Sequence, residues 1–91
     1  MRKYRSRVQI MIDILKVIHK RGKARPTHIL YGANLSHDRL KKYLRELEEN
    51  GLIIKEALGG YVVYRLTSKG LRLLREYDKI RRFAEAFGIE L

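Results

Sequence analysis

The sequence predicts a mainly α-helical fold with one small β-hairpin and a long C-terminal helix, and three observations predict it. Apolar residues recur at helical spacing along several segments, two runs of β-branched and aromatic residues flank Gly59-Gly60, and the only proline stands where a short helix can begin. With 91 residues and 45% hydrophobic content, the chain has material for one compact core.

From Arg5 to Lys20, Val8, Met11, Ile12, Leu15 and Ile18 share one helical face, and Ile10, Ile14 and Val17 form a second stripe. Such width implies burial on two sides, inside the domain or against a partner subunit. Gly22 supplies the stop. Lys23 to Arg25 form an extended link, because Arg25 precedes Pro26 and is pushed out of helical geometry. A short second helix runs from Pro26 to Gly32 with Ile29 and Leu30 inward, and Ala33-Asn34-Leu35 makes a turn.

Ser36 is a good N-cap for a third helix, and Leu35 can pack on Leu40 as a hydrophobic staple. Arg39 stands where a full capping box needs Glu. Leu40, Tyr43, Leu44 and Leu47 then give a core-facing stripe, and Gly51 followed by Leu52 predicts a Schellman ending in which Leu52 meets Leu47. With Gly59 and Gly60 as turn residues, Ile53 opposes Leu66 and Lys55 opposes Tyr64, a register that leaves the core face of the hairpin open. Thr67 caps a final helix that runs to Phe87 and ends at Gly88. It carries Leu71, Leu73, Leu74, Tyr77, Ile80, Phe83, Ala84 and Phe87, more apolar surface than one small domain covers.

Helices, a helix-turn-helix and a following hairpin constitute a winged helix. The residues Tyr31, Ala33-Asn34-Leu35-Ser36, Leu40, Lys42-Tyr43-Leu44, Leu47, Gly51-Leu52-Ile53, Tyr64, Leu66-Thr67 and Lys69-Gly70 resemble the archaeal winged helix-turn-helix family of small DNA-binding proteins. The resemblance covers nearly the whole chain. It implies either a transcriptional regulator or a chromatin-associated protein, the latter type pairing its last helix in an antiparallel coiled coil. Two departures stand out: the last helix is shorter than in chromatin-type members, and the wing tip from Ala57 to Gly60 has no basic residue. The division expected is a winged helix-turn-helix DNA-binding domain over residues 1–67 and a dimerisation helix over 68–91, packed on the same domain.

The formal net charge of +11 favours a polyanionic partner, double-stranded DNA, over an acidic small-molecule substrate. The charge is segregated: residues 1–25 hold nine Lys or Arg and one acid, a net +8, while residues 26–50 are neutral and residues 51–91 carry +3. A helix-turn-helix places the front of its third helix in the major groove. The contacts expected there are His37, Arg39, Lys41, Lys42 and Arg45, because Glu46, Glu48 and Glu49 make the back of the helix acidic. Arg45 alone combines fork geometry with an outward direction suited to guanine. An ordinary solvated face, with Arg45 paired to Glu49, would give the same pattern. Further contacts are expected from Arg2, Lys3, Arg5 and Arg7 on a basic arm, which reads equally as a loose tail. Lys23, Arg25, Thr27 and His28 around the second helix, and Lys55 and Arg65 on the wing, complete the set.

In the last helix Leu73, Tyr77, Ile80, Ala84 and Phe87 recur at 4, 3, 4, 3, the spacing of a coiled-coil seam. With Phe83 beside it, this seam is the expected interface of a homodimer, helped by the first helix; packing on the domain's own first helix is the competing explanation. No enzyme is expected. Ser36, His37 and Asp38 spell a hydrolase triad, but neighbouring helical residues diverge. No cofactor or metal is expected either, since cysteine is absent and His19, His28 and His37 lie nine residues apart without acidic neighbours at ligand spacing. The apolar runs are too short for a membrane span or a signal peptide, which points to a cytoplasmic, nucleoid-associated protein. High charge with few Asn, Gln and Met resembles thermophile composition and points to an archaeal source. The alternative function is a winged helix used as a protein-interaction module in a larger assembly.

Overall fold

A computed structural model of the chain describes residues 5–91. Its elements are α1 (Arg7–Arg21), α2 (Pro26–Gly32), α3 (His37–Glu49), β1 (Ile53–Leu58), β2 (Tyr61–Leu66) and α4 (Ser68–Ala86), which is the winged helix arrangement with a long C-terminal helix. Helix α1 starts two residues later than its apolar pattern implies. Ser6 caps it in a full capping box: its Oγ accepts from the Gln9 N–H at 3.1 Å, and Gln9 Oε1 accepts from the Ser6 N–H at 2.9 Å.

Both apolar stripes of α1 are consumed inside the domain. Ile10 and Ile14 of one stripe are as buried as Ile12, Leu15 and Ile18 of the other, because α2, α4 and β2 all pack around this helix. The expectation that α1 helps a partner subunit is therefore corrected: of its apolar residues only Val8, 57% exposed, is left outward. Leu35 and Leu40 are both in the core, in keeping with the staple at the start of α3.

Helix α3 ends as its sequence implies. The Leu52 N–H donates to the Leu47 carbonyl and the Gly51 N–H to the Glu48 carbonyl, both at 3.0 Å, with Gly51 at φ 72°. The hairpin pairs Ile53 with Leu66 and Lys55 with Tyr64. Ile53, Tyr64 and Leu66 turn to the core, which settles the face. The extended link before α2 does more than connect: Ala24 and Tyr64 exchange both backbone hydrogen bonds, at 2.8 and 2.9 Å, so a one-residue bridge flanks β2 on the edge away from β1. This ties the base of the wing to the start of the helix-turn-helix.

The chain crosses itself where α4 begins. Thr67 Oγ accepts from the Gly70 N–H at 3.0 Å as N-cap and donates to the Gly51 carbonyl at 2.6 Å, while the Thr67 N–H donates to the Leu52 carbonyl at 3.1 Å. Gly70 is packed so close that a Cβ there would collide with the Leu52 carbonyl oxygen. Gly70→Ala should therefore lower the unfolding free energy by about 1 to 3 kcal/mol or more. Gly60→Ala meets open space and should change it by less than about 0.5 kcal/mol. Urea denaturation of both variants checks this, and an equal loss in the two would contradict the packing.

Candidate nucleic-acid interface

The turn between α2 and α3 aims the front of α3 outward. Asn34 takes a left-handed backbone, φ 54°, and the Leu35 N–H reaches back to the Leu30 carbonyl at 3.0 Å. Ser36 then caps α3, its Oγ accepting from the Arg39 N–H at 3.3 Å. That hydroxyl is occupied as a cap, so Ser36-His37-Asp38 is the start of a helix and no catalytic relay.

With Leu40, Leu44 and Leu47 buried, the opposite side of α3 presents Asp38, Lys42, Arg45 and Glu49 to solvent, with Arg39 and Lys41 on its flanks and His37 exposed at the first turn. Among the described residues none of Arg39, Lys41, Lys42 and Arg45 has a carboxylate at ion-pair distance. In particular the Arg45 to Glu49 pair of an ordinary solvated helix is not formed. Glu46 is engaged instead by Arg7, reaching across from the start of α1. Arg7, Arg39, Lys42, Tyr43 and Glu46 together line a shallow concavity of about 310 Å³. The most forward acid of the helix's back half is thus neutralised, and Arg7 joins the basic front. Nothing in the spacing pairs Arg7 with Glu46, 39 residues away.

Other expected contacts have work within the fold. The Arg5 guanidinium pairs with Asp13 at 2.8 Å and donates to the carbonyls of Ala33 at 2.7 Å and Asn34 at 3.1 Å. It satisfies carbonyls that the end of α2 leaves without partners, and so braces the turn. Lys23 and Arg65 converge on Glu56, at 3.6 and 3.1 Å, and clamp the link to the wing. Arg25 stacks over the Tyr61 ring, 4.5 Å from its centroid. Lys55 is exposed on β1, and Thr27 is exposed at the start of α2. Arg2 and Lys3 lie outside the described residues.

His28 is half-buried on the α1 side of α2, beside Val17, Lys20 and Arg21. Burial first, then the charges of Arg21 and Arg25, hold its imidazole below the usual histidine range. Among the described residues no cluster of His, Asp or Glu could hold a metal ion, and no helix is long and apolar enough to cross a membrane.

On α4, Leu74 is buried and Tyr77 is partly buried against the core, whereas Leu73, Ile80, Phe83 and Phe87 are exposed, Phe83 and Phe87 to 69% and 68%. The Phe83 and Phe87 rings lie 5.1 Å apart. Ala84 is half-buried. The exposed apolar surface therefore centres on Ile80, Phe83 and Phe87, one side of the seam expected from spacing, because Tyr77 leans inward.

A family model described as winged helix-turn-helix matches residues 4–85. Among curated proteins none matches by sequence. Among solved structures the chain is similar to Sso10a-2, a DNA-binding protein from Sulfolobus solfataricus, at 26% identity and TM-score 0.79, covering 91% of this chain and 85% of that one. It is similar to the reduced form of the transcriptional regulator YodB from B. subtilis at 28% identity and TM-score 0.74, covering 81% and 76%. The oxidised form of MarR from E. coli shares the fold at 17% identity and TM-score 0.69; the match covers 72% of this chain and 48% of that longer one.

Proposed function

The chain belongs to the winged helix-turn-helix family, and from that premise we propose that it binds double-stranded DNA with the front of α3 in the major groove. One observation carries the proposal: Arg39, Lys41, Lys42 and Arg45 stand exposed and, among the described residues, without carboxylate partners, while Arg7 pairs with Glu46. Unpaired cations on a protruding helix are what a phosphate backbone neutralises, and Arg45 has the fork for a guanine edge. His37, Thr27, Lys55 and the outer faces of Lys23, Arg25 and Arg65 serve as flanking phosphate contacts. The DNA-binding Sso10a-2 and the regulator YodB support a role as a transcriptional regulator or chromatin-associated protein, and Sso10a-2 supports an archaeal source.

We further propose a homodimer joined through α4. Leu73, Ile80, Phe83 and Phe87 form one apolar strip, and their near-heptad spacing lets a second copy of the same helix interdigitate with it across a two-fold axis. Residues 68–91 thus act as the dimerisation helix of a DNA-binding domain over 1–67. Two linked heads then engage two half-sites or two DNA segments.

Lys42→Ala and Arg45→Ala should weaken duplex binding without lowering the melting temperature, each reducing the slope of log affinity against log salt by about 0.9. Salt titrations by fluorescence anisotropy measure this; an affinity indifferent to salt, or absent at low salt, overturns the proposal. Selection from random duplex DNA divides the two roles, because an enriched palindrome indicates a regulator and no enrichment a packaging protein. Ile80→Glu with Phe87→Glu should convert dimer to monomer in light scattering, and a wild-type monomer at tens of micromolar would end the dimer proposal.

A further inference from the structure

Helix α4 divides into three sectors. Gly70 and Leu74 face the core, with Tyr77 partly so, and the strip of Leu73, Ile80, Phe83 and Phe87 lies beside them. The third sector, facing away from the core, carries Arg72, Arg75, Lys79 and Arg82, spaced 3, 4, 3 and all exposed. At about 100° per residue these four fall within one quarter of the helix circumference. They line a groove of about 670 Å³ with Ser68 and Leu71, and two acids, Glu76 and Asp78, stand among the four cations. A second concavity shares Ser68 and Leu71 and continues to His19, at the basic end of α1, and to Arg65.

The same helix pairs its charges closely along the sector's border, where Arg82 belongs to both. Asp78 accepts from Arg81 at 2.8 Å and from Arg82, and Arg81 also reaches Glu85 at 2.9 Å. The two arginines hold the Asp78 carboxyl below the usual carboxylate range. In the basic sector Arg72 and Arg75 have no carboxylate at ion-pair distance among the described residues, while Lys79 pairs with Glu76 and Arg82 with Asp78, both cations remaining 73% exposed. Like charges three and four residues apart repel, and Glu76 and Asp78 offset only Lys79 and Arg82, so Arg72 and Arg75 remain a cost to the helix taken alone. A polyanion laid along it removes that cost. The sector spans about 15 Å of helix, alongside about nine phosphate charges of a duplex.

We propose that this sector of α4 is a second docking surface for the phosphate backbone of double-stranded DNA, separate from the front of α3. Helix α4 is fastened to the end of α3 by Lys69 Nζ donating to the Asn50 carbonyl at 2.8 Å, and α3 has 13 residues, so about 20 Å separates its front from that junction. Occupied together, the two surfaces let one copy hold two duplex segments, and pairing through the apolar strip sets two basic sectors along the flanks of the seam. The inference rests on the DNA-binding role proposed above.

The experiment compares full-length variants by duplex anisotropy at low salt, with melting curves confirming that each is folded. Arg39→Ala, Lys42→Ala and Arg45→Ala disable α3; Arg72→Ala, Arg75→Ala, Lys79→Ala and Arg82→Ala disable α4. The α3-disabled protein should keep a weaker, salt-sensitive binding that falls by about tenfold or more when the α4 changes are added. The α4-disabled protein should still bind one duplex, yet lose capture of a labelled second duplex by protein held on an immobilised first. If the α3-disabled protein binds nothing, or the α4-disabled one captures the second duplex normally, this inference falls and the role of α3 stands. If disabling α3 changes nothing while disabling α4 abolishes binding, the role of α3 falls and this inference stands. An unaltered chain that binds no duplex overturns both.

Discussion

The architecture depends on one close approach, that of Gly70 to the Leu52 carbonyl. It lets the start of α4 cross the end of α3 at backbone distance, and Thr67 stitches the crossing by capping α4 while bonding to the Gly51 carbonyl. The wing leaves from Leu52 and returns at Thr67, so both its ends are held at the same crossing. The Ala24 to Tyr64 bridge fastens the wing's other edge to the link before α2. Helix α3, the wing and the last helix are thereby fixed relative to one another by backbone hydrogen bonds whose geometry few other side chains would permit.

Within that frame the positive charge separates into two uses. Arg5 satisfies carbonyls at the helix-turn-helix corner, Arg65 and Lys23 grip Glu56, and Arg25 lies on Tyr61. These cations hold the scaffold. Arg39, Lys41, Lys42 and Arg45 on α3, and Arg72 and Arg75 on α4, pair with no carboxylate among the described residues. Net charge alone points to a polyanion, but only the distinction between engaged and unengaged cations points to a surface.

Local chemistry made most of the fold legible in the sequence. Pro26 and Gly32 bound α2, Ser36 and Gly51 bound α3, and Gly59-Gly60 sets the hairpin register, because each decision is made within five residues of chain. What local chemistry cannot carry is contact between distant segments. The acceptors of Arg5 lie 28 and 29 residues away, and the Ala24 to Tyr64 bridge joins segments 40 residues apart. For the same reason the two stripes of α1 read ambiguously: a helix wrapped on several sides by its own domain has the same pattern as one shared with a partner. The capping box at Ser6 and Gln9 was readable in principle, as a serine followed three residues later by glutamine, but the apolar pattern ran past it.

The most direct test of the account is an amide map of the chain titrated with a short duplex at low salt by nuclear magnetic resonance. The account predicts that signals from Ser36 to Arg45 move first and furthest, with the buried face of α1 unmoved. A titration that leaves Ser36 to Arg45 unchanged, whether other signals move or none do, would contradict it.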